Sequence, residues 1–211
     1  NFSPMTTITY TIPSLPTYHH NVNGNTQTSQ DVPVQSSHNS EYTTTQFIID
    51  GDRLEFFRGN DITQMTFHLA SHKNLTMKGD YEIYLSEIEE NRFHIDPMPY
   101  AYDFIDIDGT EPVRTLESVH VIDSTWTVIF NQPWHFNGWH NSNPTSLLVT
   151  IRHTPANSNS PSPLVFKGEK YESEPLYHVS SFSHNEAQMP NVYDNLGRTD
   201  FSPLTAISYL S

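Results

Sequence analysis

Hydrophobic and polar positions alternate with a period of two in most of the structured-looking parts of this chain. The clearest case lies within Ser124 to Thr154, where Trp126, Val128 and Phe130 fall on one face of an extended segment, with Thr125, Thr127 and Ile129 on the other. Pro133 is expected to stop that strand. A loop then carries Trp134, His135, Phe136, Trp139 and His140 around Gly138, and Leu147 to His153, rich in β-formers, predicts the next strand. The same pattern predicts strands over Met5 to Thr11, Tyr42 to Ile49, Tyr81 to Leu85, Leu164 to Phe166, Leu176 to Phe182 and Leu204 to Leu210. Ile62 to Leu69 is a further strand, whose inward set Ile62, Met65, Phe67 and Leu69 requires one irregular step. Lys78, Gly79 and Asp80 read as a turn, and Val113 to Ile122 as an edge strand.

Between these strands lie two irregular stretches. His19 to Asn39 holds hardly any apolar residue and predicts a long polar loop or linker at about 17–40. Glu87 to Glu111 is acidic, carries Pro97 and Pro99, and predicts a long loop holding a short strand. No window has helical periodicity, and fifteen prolines spread along the chain argue the same way. The expectation is an all-β protein: a single domain over 1–211, built as a two-sheet antiparallel β-sandwich of the jelly-roll kind.

Composition narrows the setting. Hydrophobic residues make up 35% of the 211, but 12 Phe and 11 Tyr supply aromatic mass for a core. Only 16% are charged, the polar balance being Thr, Ser, Asn and Gln, which suits sheets with one wet face outside the cell. The formal charge is −14, from 24 acidic against 10 basic residues, and such a surface repels phosphate backbones and anionic lipid. Nucleic acid and membrane insertion are therefore not expected, whereas neutral glycans, polypeptides and calcium are. The absence of cysteine excludes thiol chemistry and a disulfide framework, and fits an exported bacterial protein better than a small animal secreted domain. Phe2 to Tyr10, FSPMTTITY, matches Phe201 to Tyr209, FSPLTAISY, at six of nine positions, as expected of a segment cut from a tandem array.

Several segments resemble the β-sandwich modules of secreted and surface proteins of Bacteroidetes. Tyr42 to Phe67, YTTTQFIIDGDRLEFFRGNDITQMTF, resembles their opening pattern, and Tyr81 to Leu85 their next strand. Trp126 to Ile151 is similar to their most typical stretch, with a Trp before a strand, Pro plus an aromatic, a second aromatic, Gly, and then a run like N-L-L-V-x-I. Phe201 to Tyr209 resembles their ending. The chain departs from that pattern at Trp134, which replaces Phe, at Trp139 and His140, which fall in an insertion, and at Ser146, which replaces Asn. The resemblance implies a jelly-roll module similar to cleaved-adhesin or carbohydrate-binding-like domains, in which Trp134 and Phe136 would occupy core positions. Modules of that kind often carry a structural calcium.

Candidate chemistry follows from these pieces. Saccharide binders stack flat aromatic rings on the apolar faces of sugars and flank them with polar groups that bond the hydroxyls. Trp139 falls after Gly138 among polar neighbours, so it is the leading contact residue, with His140, Asn137, Asn141, Tyr100 and Tyr102 as secondary ones. Asp103, Asp106, Asp108 and Glu111 cluster around Gly109 as oxygen ligands for calcium, with Asp50 and Asp52 as an alternative shell and a solvated acidic loop as the plain reading. Among twelve histidines only His68 and His72 have the i, i+4 spacing of a helical zinc pair, and their segment reads as a strand. No nucleophile elbow or phosphate loop is present, so no catalytic residue is expected and no cofactor is required. The expected function is a non-catalytic, secreted or cell-surface module that binds a glycan or a surface protein. The alternatives are a structural spacer or accessory domain, and a viral or phage receptor-binding spike domain.

Overall fold

The structure is a computed structural model that describes residues 17–71, 74–94, 104–107, 109–156, 163–172, 177–190 and 196–210. Its strands are β1 (Thr17–Asn21), β2 (Gln27–Ser29), β3 (Tyr42–Ile49), β4 (Asn60–His68), β5 (Asn74–Ile88), β6 (Phe93–His94), β7 (Arg114–Ile122), β8 (Thr125–Phe136) and β9 (Trp139–His140). They continue as β10 (Asn143–Pro144), β11 (Ser146–Pro155), β12 (Phe166–Lys170), β13 (Tyr177–His178), β14 (Ser180–Asn185), β15 (Gly197–Thr199), β16 (Phe201–Pro203) and β17 (Thr205–Leu210). Three single-turn 3₁₀ segments, Ser36–His38, Gly51–Arg53 and Glu55–Phe57, are the helical elements among the described residues. The protein is all-β.

Ten strands form one antiparallel sheet in the order β1-β17-β4-β8-β7-β5-β11-β3-β14-β15. That sheet cannot be flat. Laid out, β15 and β17 would be eight strand spacings apart, about 38 Å at ~4.8 Å each. Yet Thr199 and Thr205 are only six residue steps apart in the chain, which span at most about 21 Å. The sheet therefore curls over its own core into a sandwich-like form. The small sheet β16-β12-β2 lies where the two ends approach, tied by Leu204 N–H to the Lys167 carbonyl (2.8 Å) and His68 N–H to the Leu204 carbonyl (3.3 Å). Most neighbours in the large sheet are not sequence neighbours, the long-crossover winding of Greek-key sandwiches.

The alternation that predicted β8 holds: Trp126, Val128 and Phe130 are buried while Ile129 is 61% exposed. Trp126 packs against Phe67, Tyr81 and Phe166 at the centre of the main core. Leu147, Val149 and Ile151 of β11 face this core, and Leu148 faces a second cluster with Ile48, Tyr84, Phe93 and Ile107. The central strands are thus covered on both sides, which explains why β11 reads as a nearly continuous apolar run.

The strand at Val113 to Ile122 is not at an edge, because β7 lies between β8 and β5, and three further expectations are corrected. Pro133 does not end its strand. β8 continues to Phe136, and Pro133 sits in a bulge where Ile129 pairs Gln64 but Trp134 pairs Ile62, so its missing N–H interrupts no regular ladder. The partner-strand side of this shift is the irregular step expected between Ile62 and Met65. Second, Lys78 to Asp80 is no turn: β5 passes straight through, with a register shift against β7 at that point. Gly79 has φ +146, and a Cβ there would collide with the His153 imidazole. Third, 17–40, expected as a long polar loop or linker, is irregular over much of its length but carries two short strands and is attached to the sheets. β1 pairs β17, β2 pairs β12, and Val22, Val32 and Val34 are buried in the core. Its polar residues attach it rather than loosen it: Asn23 Nδ2 donates to Ser202 Oγ and the Pro203 carbonyl (both 2.8 Å), Gln35 Nε2 to the Ser183 carbonyl (2.7 Å) and Ser36 Oγ to the Leu164 carbonyl (2.8 Å).

Candidate functional site

After the bulge in β8 the chain leaves the sheet at Asn137 and forms a small hairpin, β9 pairing β10 with Asn143 opposite His140. Asn141 (φ +50) and Ser142 (φ +69) make the two-residue connection, and two consecutive positive φ values identify a type I′ turn, the twist that hairpins favour. Gly138 has φ +81, and the side chain of Arg58 lies directly against it where a Cβ would stand. Arg58 in turn donates to the Gly51 carbonyl at 2.9 Å and places its guanidinium 4.4 Å from the centre of the Trp139 ring. One indole face is thereby held by a fixed cation, and Trp139 still keeps 46% of its surface exposed.

Glu87, at the end of β5, anchors this hairpin from beneath. Its carboxylate accepts from the backbone N–H of Asn137 (3.2 Å) and Gly138 (2.6 Å) and from the Thr145 hydroxyl (2.5 Å). The Thr145 N–H donates to the Gly138 carbonyl (3.2 Å), and Asn137 Nδ2 to the Trp139 carbonyl (2.9 Å). These bonds consume Glu87 structurally and leave Glu89 and Glu90 exposed on the rim. His140 Nε2 approaches Glu89 Oε1 at 3.3 Å.

Between the hairpin and the end of β5 opens a cleft of about 600 Å³ bordered by Glu87, Ile88, Glu89, Glu90, Asn137, Trp139, His140 and Thr145. That volume lies within the roughly 300–1,000 Å³ of small-molecule sites. Its chemistry is one flat aromatic plane, one imidazole, one carboxamide and several carboxylate oxygens. Such a set can stack an apolar ring face and accept hydrogen bonds from hydroxyl or ammonium groups.

Of the residues expected from sequence, Asn137, Trp139 and His140 meet in this cleft. Asn141 is at the exposed tip of the hairpin and serves the turn instead of the lining. Tyr100 and Tyr102 lie outside the described residues, as do Asp103 and Asp108 of the acidic set; Asp106 and Glu111 are exposed. Asp50 caps the first residues of a 3₁₀ turn, accepting from the Asp52 N–H at 3.0 Å. Trp126 and Phe136 are buried, and Trp134 packs on the core, stacked on Phe136 with ring centres 6.2 Å apart. Sequence reasoning missed Arg58 and placed Glu87, Glu89 and Glu90 in the acidic loop Glu87 to Glu111. The signal available was weak: Glu87 is 50 residues from Asn137 in the chain, and only strand pairing joins them.

Comparison with family models, with curated proteins and with solved structures returns no match. No helix among the described residues is long and apolar enough to cross a membrane. Fold and site together define an all-β, sandwich-type protein with one indole-bordered acidic cleft built at the end of its long central strand.

Proposed function

We propose that this protein is a non-catalytic glycan-binding module of the adhesin or carbohydrate-binding kind, acting outside the cell. The observation that carries the proposal is Trp139: a half-exposed indole, fixed from one side by Arg58, standing at the border of an open cleft beside Asn137, His140, Glu89 and Glu90. A buried plug needs no such presentation, and a rigid ring loses little freedom when a sugar stacks on it. The carboxylate rim accepts hydroxyl hydrogen bonds and, with the −14 net charge, disfavours acidic polysaccharides, so the ligand class is neutral or amino sugars. The sequence likeness to Bacteroidetes surface modules supports the same reading, and no residue is assigned a catalytic role.

The test is affinity electrophoresis or a glycan array with wild type and Trp139→Ala. Neutral glycans should retain wild type, and the variant should lose about 1–3 kcal/mol, roughly five- to 150-fold in affinity, by analogy with other aromatic stacking sites. Retention that survives Trp139→Ala removes this cleft from consideration. Binding confined to proteins would favour an accessory or spacer module instead.

A further inference from the structure

Three polar side chains from two distant segments of the chain converge away from the cleft residues. His38 ends the 3₁₀ turn Ser36–His38, and the Glu41 N–H bonds back to the His38 carbonyl at 2.9 Å, which brings both side chains to one side. His184 comes from β14, whose pairing with β3 sets it opposite Thr43, two residues from Glu41. His38 Nδ1 meets Glu41 Oε1 at 3.1 Å, and His184 Nδ1 meets Glu41 Oε2 at 2.5 Å. The two imidazoles stack with centres 3.7 Å apart and planes 20° from parallel. One ligand atom from each of the three residues lies within 4.8 Å of the others, and among the described residues no other trio of His, Cys, Asp or Glu does so. Asp31, half-buried, sits beside this group and feels the charge of both rings.

We propose that His38, Glu41 and His184 form a binding site for a divalent first-row transition ion of the Zn²⁺ class, with Asp31 or water completing the shell. Two imidazole nitrogens and a carboxylate oxygen are the donor set such ions take at about 2.0–2.2 Å in four-coordinate sites. Hard ions such as calcium prefer all-oxygen shells and would gain little from two imidazoles. Binding requires the proton that each ring shares with Glu41 through Nδ1 to move to Nε2, and the two stacked rings to tilt and part so that the freed nitrogens converge on the ion. The side chains remain 19–33% accessible, so an ion can enter from solvent. The site clasps the turn at 36–41 to β14, segments joined in no other covalent way in a chain without cysteine. A metal that binds the folded state alone stabilises it.

The experiment uses the full chain without an affinity tag, stripped with chelator and then titrated with Zn²⁺ and, separately, Co²⁺. One equivalent of Zn²⁺ should bind and raise Tm, and Co²⁺ should give the intense visible bands of a low-coordinate site. His184→Ala and Glu41→Gln should each weaken binding at least about tenfold, while His135→Ala, at an exposed His–Asp pair elsewhere, should not. Should those variants fail to fold, histidine ring signals of the wild type followed by NMR give the same answer, because saturating Zn²⁺ must shift two imidazoles above all. Absence of stoichiometric uptake, a pale octahedral Co²⁺ spectrum, or affinity unchanged in both variants overturns the proposal.

Discussion

His153 shows how one residue is settled by its surroundings. It is buried on β11, its ring stacked on Tyr81 with centres 4.6 Å apart, in the room that Gly79 leaves by lacking a Cβ. Burial disfavours its charged form and lowers its pKa from 6.5 to about 4; a hydrogen bond with the Glu41 backbone and the charge of Asp80 offset only part of this. In the unfolded chain the ring protonates near 6.5, so between that pH and about 4 the unfolded state binds more protons than the folded one. Stability must fall as pH drops through this window. The full effect of 2.5 pKa steps is about 3 kcal/mol. Replacing the ring by an uncharged amide, His153→Gln, should cost stability at pH 7 but flatten the acid decline. Urea unfolding of both proteins at pH 7 and pH 4.5 checks this; equal pH slopes in the two would disprove it.

At the level of elements, the site depends on a hairpin of two short strands, and its turn is chemically imperfect. Asn141 tolerates positive φ, but Ser142 at φ +69 carries a Cβ penalty that glycine would not. Ser142→Gly should therefore stabilise the chain by about 0.5–1 kcal/mol, with the Asn-Gly pair that type I′ turns prefer. Glycan affinity should be held or improved, since the indole is presented more rigidly; a lower denaturation midpoint would contradict the turn assignment. The same hairpin marks how far the sequence could be read. Trp139, His140 and Asn137 were legible because they lie within four residues of one another. Arg58 and Glu87 were not, because a bulge and a strand register bring them there, and neither leaves a periodic trace. Strands with one wet face and a regular ladder, such as β8 up to Phe130, were legible from alternation alone. Pro133 and Gly79 misled because each normally breaks a strand, and here each occupies a bulge that needs a missing donor or a missing Cβ. β1 was hidden because, as an edge strand, it has four of five residues exposed and so shows no apolar face.

For the whole molecule, charge is the quantity that sequence alone determines and the fold must tolerate. The few cations are spent locally: Arg53 pairs with Glu169, Arg114 bonds Asn131, Arg152 lies over Tyr84 and Arg58 over Trp139. Among these contacts only Arg53–Glu169 is an ion pair, and exposed pairs of its kind contribute about 0–1 kcal/mol each. They cannot balance fourteen excess negative charges confined to one curled sheet, so the compact state repels itself. Added salt weakens both terms, shortening the screening length from about 30 Å at 0.01 M to about 8 Å at 0.15 M. Repulsion acts among many carboxylates over that distance, whereas attraction is confined to a handful of contacts that screening affects least. The repulsive term should dominate the response. Tm at pH 7.5 is thus expected to climb between about 10 and 150 mM NaCl, and a neutral saccharide should bind with little change across the same range, because stacking on Trp139 carries no net charge. Scanning calorimetry and titration at the two salt levels measure both effects. A Tm that falls with salt would mean that local ion pairs outweigh the global field, and glycan affinity that collapses with salt would mean that the acidic rim of the cleft, not the indole, holds the ligand.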